Sequence, residues 1–106
     1  MKLLLVVKDP QAWEEALFRA LKEVKQRETY LLFIDEAVTR CVRCEPQLFK
    51  HLHQFVLDGG RAMIAQESLL QFGLSPERPP DFLERLSNSH DFIARFEGKV
   101  QTYPTR

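Results

Sequence analysis

Two cysteines, Cys41 and Cys44, stand as a C-x-x-C in the stretch "VTRCVRCEPQ". A cysteine reacts as its thiolate, and neighbouring cations or a helix N-terminus favour that form. Arg40 and Arg43 bracket Cys41, and Pro46 marks a helix start just beyond Cys44, so both arginines read as thiol-activating residues. Glu45 opposes them. The pair is suited to sulfur transfer or thiol redox exchange, with one thiol resolving a disulfide or persulfide formed on the other. A non-catalytic alternative makes the C-x-x-C structural, or the half of a zinc site that a second subunit completes, because a closed zinc site needs four ligands. His51 and His53 do not complete it within one chain, since two positions apart on a helix places them roughly 160° apart around the axis.

A second set of candidates is carboxylate and polar. Asp35 and Glu36 follow an apolar run and suit acid–base work or a solvated exit from the core. Gln66, Glu67 and Ser68 open a short helix, where backbone N–H groups can hold a small ligand. No glycine-rich phosphate loop precedes them, and no Gly-x-Ser-x-Gly elbow surrounds Ser68. His90 reads as a solvated helix-end residue, and Phe72, Phe82, Phe92 and Phe96 as core or subunit contacts.

The elements that must position these groups are legible from periodicity. "LLLVV" at 3–7 and "TYLLFIDEAV" at 29–38 are apolar runs of strand length, each covered on both faces. Between them Asp9-Pro10 gives a cap and a first-turn proline. Trp13, Ala16, Leu17, Ala20, Leu21 and Val24 then trace one helical face. The C-x-x-C falls in a loop after the second strand. A helix from Pro46 carries Leu48, Phe49, Leu52, Phe55 and Val56 and stops at Gly59-Gly60. "RAMIA" is a third strand, "ESLLQF" a short helix, and Phe82, Leu83 and Leu86 mark another helix. Ser89 caps one carrying Phe92, Ile93 and Phe96, and "KVQTY" is a last strand closed by Pro104.

Strands alternating with helices over short connections predict one α/β domain over residues 1–106, with a mainly parallel sheet of four to five strands between helical layers, Rossmann- or flavodoxin-like. Such sheets bind ligands beyond their carboxyl ends. Lys8-Asp9-Pro10, the 35–44 segment and the 66–68 segment are expected to converge there. Fifteen basic residues balance fifteen acidic ones, so nothing in the charge favours nucleic acid or a membrane surface. The opening apolar run is too short for a signal sequence, and the expected location is the cytoplasm.

The layout, carried by "MKLLLVV", "YLLFIDEAV", "LDGGRAMIAQESLLQFGL" and "FIARFEGKVQTY", resembles the DsrE/DsrF-like family of small sulfur-relay proteins. That resemblance implies a three-layer fold, homo-oligomers (dimer, trimer or hexamer), a sulfur-donor or acceptor protein as partner, and a persulfide-carrying cysteine after the third strand. Gln66 stands where that cysteine would be. A sulfur role in this chain therefore passes to Cys41 and Cys44.

Overall fold

The computed structural model describes residues 1–43 and 45–105. Five parallel strands, β1 (Leu3–Val7), β2 (Thr29–Phe33), β3 (Arg61–Ala65), β4 (Glu84–Leu86) and β5 (Lys99–Tyr103), form one sheet in the order β4-β3-β2-β1-β5. The helices are α1 (Trp13–Glu23), α2 (Pro46–Leu57), α3 (Gln66–Gln71) and α4 (Ser89–Arg95). From β1 to β4 the chain steps outward one strand at a time. It then crosses the whole sheet through α4 to lay β5 on the far side of β1.

A right-handed crossover puts its helix on a face set by the direction of travel. The first three crossovers run one way and the last runs back, so α1, α2 and α3 share one face and α4 takes the other. The packing follows. Leu3, Leu5, Val7, Leu31, Phe33, Ala62 and Ile64 point into a core with Trp13, Ala16, Leu17, Leu52, Phe55 and Leu69. Leu4, Val6, Leu32, Ile34, Met63 and Ala65 point the other way, towards Phe92, Ile93 and Phe96 of α4. Both alternating sets of β1 are buried, the reason its sequence is apolar without a break.

The expected start of α1 holds. Asp9 accepts a hydrogen bond from the N–H of Gln11 at 2.9 Å, and a 3-10 turn over Pro10–Ala12 leads into the helix. Trp13 is fully buried, stacks on Phe33 at 4.2 Å between ring centroids, and donates its indole N–H to the carbonyl of Ala37 at 3.2 Å. Gly59, at φ +105°, makes the turn after α2, where a side chain would be strained.

Two segments differ from the sequence expectation. The helix expected around Phe82, Leu83 and Leu86 is an extended segment ending in β4. Its register is set by β3, with Met63 beside Glu84 and Ala65 beside Leu86. Arg85 fixes the loop before it by donating to the carbonyls of Pro76, Pro79, Pro80 and Leu83 at 2.5–2.8 Å. The second strand, expected over 29–38, ends at Phe33, and its expected last residues together with the start of the expected loop form a 3-10 helix over Asp35–Val42, which turns Ala37, Val38 and Cys41 into the core. At the start of α4 the cap is Asn88, whose side chain accepts from the N–H of Asp91, with Ser89 one position inside.

Candidate functional site

Cys41 is fully buried among the core residues under α1 and α2. Burial pushes its thiol well above the ordinary range, and Arg85 only partly offsets that. The neutral thiol is the stable form, which corrects the expectation of an activated, solvent-facing Cys41. Burial also corrects its expected part in a zinc site between subunits, because a core thiol does not face a second chain. Cys44, the other half of the expected pair, lies outside the described residues. Among the described residues no three His, Cys, Asp or Glu side chains gather as a metal-ligand set.

Arg40 is a clasp, which corrects its thiol-activating role. Its guanidinium makes a two-point contact with Glu14 at 2.8 Å, holds Glu45 at 3.0 Å, and donates to the carbonyl of Pro10 at 2.7 Å. Those contacts use all five of its N–H groups. They tie the start of α1 to the start of α2, and the hydrogen bond from Arg40 holds the Glu14 carboxyl below its usual range. Arg43 is exposed.

The second set of candidates divides. Ser68 is buried, and its hydroxyl oxygen accepts the backbone N–H of Asp35 at 2.9 Å. Glu67 reaches across to α4, where one oxygen accepts from both the backbone N–H and the hydroxyl of Ser89, at 2.9 and 3.1 Å. A carboxylate at that helix start suits the dipole and fixes α4 against α3. The Ser68 hydroxyl and one Glu67 oxygen thus serve the fold, while the other Glu67 oxygen is buried without a partner among the described residues. Gln66 is half-buried at the start of α3 and makes no side-chain hydrogen bond among the described residues. His51 packs edge-on to Phe18 and His53 against Phe82, so the two do diverge around α2.

An open space lies at the carboxyl edge of the sheet. A cleft of about 830 Å³ is lined by Lys8 and Asp9 after β1, Asp35 and Glu36 after β2, Phe72 at the end of α3, and Val100 to Thr102, Pro104 and Thr105 of the last strand and its exit. Asp35 sits there at φ +52°, a left-handed backbone unusual outside glycine. The Ser68 hydroxyl holds its N–H in that conformation. One ammonium faces three carboxylates, and the half-exposed ring of Phe72 supplies an apolar wall. Asp9 is partly engaged in capping its own turn. The convergence of the first two segments was legible in the sequence. Thr102 and Thr105 were missed, because only the crossover to β5 brings the C-terminal strand to this edge, and Phe72, expected as a core or subunit contact, lines the cleft half-exposed.

No family model matches the chain, and no curated protein does. Among solved structures, the ychN protein from E. coli superimposes with a TM-score of 0.71 at 15% identity, covering 97% of this chain and all of that one. The likeness is one of fold. The architecture expected from the sequence is thus the one found, now with five strands, all parallel. No helix among the described residues is long and apolar enough to cross a membrane.

Proposed function

We propose that this domain is a small-ligand binding module whose site is the carboxyl-edge cleft, and that its ligand carries a positive charge beside an apolar body. The observation that carries this is the cleft itself: about 830 Å³ of open space whose rim holds Asp35 in a left-handed backbone conformation next to Glu36. Residues kept in sparsely populated backbone regions by surrounding contacts cluster where function needs them. The excess of carboxylates over Lys8 favours an amine or guanidinium, and Phe72 can stack on its apolar part or face the cation.

Thermal unfolding in the presence of benzylamine, agmatine and spermidine, with carboxylates of similar size as controls, tests the reading. The cationic compounds are expected to raise the unfolding temperature, more at low salt than at high salt. The rise should vanish in Asp35→Asn/Glu36→Gln and persist in Cys41→Ala. Stabilisation that survives the double substitution, or occurs equally with the carboxylates, would sink it.

A second reading keeps sulfur transfer through Cys44 alone, supported by the exposed Arg43 beside it in sequence. In this reading the Cys44 thiolate takes the outer sulfur of a donor protein's persulfide, forming its own persulfide and releasing the donor thiolate. Loss of sulfur uptake in Cys44→Ser but not in Cys41→Ala would favour it over the cleft.

A further inference from the structure

β5 is an edge strand, paired with β1 on one side only. The directions of its backbone groups follow from two hydrogen bonds. The N–H of Lys99 donates to the carbonyl of Lys2 at 2.9 Å, and the N–H of Lys8 donates to the carbonyl of Tyr103 at 2.8 Å, so Lys99, Gln101 and Tyr103 address β1. Backbone groups alternate along a strand, so Val100 and Thr102 aim their N–H and C=O outward. Both are exposed. The opposite edge is different. β4 has three residues, its Glu84 is paired with Arg61 at 2.6 Å, and Arg85 is tied to the preceding loop.

We propose that β5 is a self-pairing edge, occupied by β5 of a second copy of this chain, antiparallel and centred on Gln101. In that register Val100 of one copy lies opposite Thr102 of the other. Each such pair exchanges two N–H···O=C bonds, so the two-fold arrangement makes four and satisfies every outward group of the strand. Their β-branched side chains meet on one face. Lys99 lies opposite Tyr103 of the second copy and away from the other Lys99. Moving the centre to Thr102 places Pro104, which has no N–H, opposite Val100. Moving it to Val100 places the bend at Gly98 opposite Thr102. The sequence thus fits one register of self-pairing, in which the strand is its own complement. Val100 and Thr102 also line the carboxyl-edge cleft, so the clefts of the two copies adjoin across the pair.

The test is the mass in solution, with a cross-link for register. Light scattering across a concentration series is expected to give twice the 12.4 kDa chain mass for the wild type. Thr102→Pro removes an outward N–H without touching the β1 ladder and is expected to give the chain mass. In a Cys44→Ser background, Gln101→Cys should form a covalent dimer on oxidation, because residues facing across a non-hydrogen-bonded pair have Cα atoms about 4.5 Å apart. Lys99→Cys should not, since its counterpart is about 14 Å away at that register. The cross-link decides the matter should Thr102→Pro fail to fold. A wild type that stays monomeric at hundreds of micromolar overturns the proposal and leaves the edge to a strand of another protein. An oligomer that survives Thr102→Pro, or cross-links equally at positions 99 and 101, overturns it by placing the interface elsewhere.

Discussion

The two faces of the sheet are covered unequally. Three helices close one face and bury Cys41 and Trp13 completely, whereas the seven-residue α4 alone covers the other, leaving Val100 and Thr102 of β5 exposed. Both faces follow from one topological fact, the late return of the chain to the far side of β1. The crowded face shields its thiol from solvent, and the carboxyl edge of the sheet keeps a cleft where carboxylates stay wet. The residue type with the strongest intrinsic chemistry is therefore on the face least able to use it.

The largest way to break this contrast is to hollow the closed face. Trp13→Ala removes a fully buried ring stacked on Phe33 and is expected to cost about 3–5 kcal/mol, measured by urea unfolding. Next, Arg40→Ala leaves Glu14, Glu45 and the Pro10 carbonyl without their shared donor. A loss of about 2 kcal/mol is expected, tempered because Glu14 is half-exposed. If Arg40→Ala were neutral, the clasp would not be what holds α1 to α2. Ser68→Ala should cost about 1–2 kcal/mol by orphaning the Asp35 N–H, and should also weaken cleft binding because the rim backbone is freed.

The thiol sharpens the comparison through pH. Burial raises the folded-state value of Cys41 above its ordinary 9.0. The stability tied to its neutral form is thus complete below about pH 9 and is lost as pH rises from there towards the folded-state value. Cys41→Ala should accordingly show a shallower decline in stability above pH 9 than the wild type. Alkylation of Cys41 at neutral pH should track global unfolding. The smallest effect is expected at the carboxyl-edge cleft, where Phe72→Ala should change stability by less than about 0.5 kcal/mol while reducing ligand stabilisation.

Local signals in the sequence were strong where a whole element could be read from its own residues. The unbroken apolar runs of β1 and β2, and the 13-16-17-20 stripe of α1, needed no partner to be recognised. β4 escaped because Phe82, Leu83 and Leu86 also fit a helical spacing, and three residues become a strand only through their register with β3. Cys41 was placed in a loop although Ala37, Val38 and Cys41 stand one and four residues apart, the spacing of a helical face. That spacing was the available signal of burial. The roles of Glu67 and Ser68 were hidden because their partners, Ser89 and Asp35, are 22 and 33 residues away.

The central claim, that this domain works through its open carboxyl edge, is tested most directly by amide NMR of the labelled protein titrated with agmatine. Shifts that saturate and cluster at Lys8, Asp35, Glu36 and Thr102, with the core around Cys41 unmoved, are the expected result. No saturable shifts, or shifts confined to the Arg43–Pro46 segment, would contradict it.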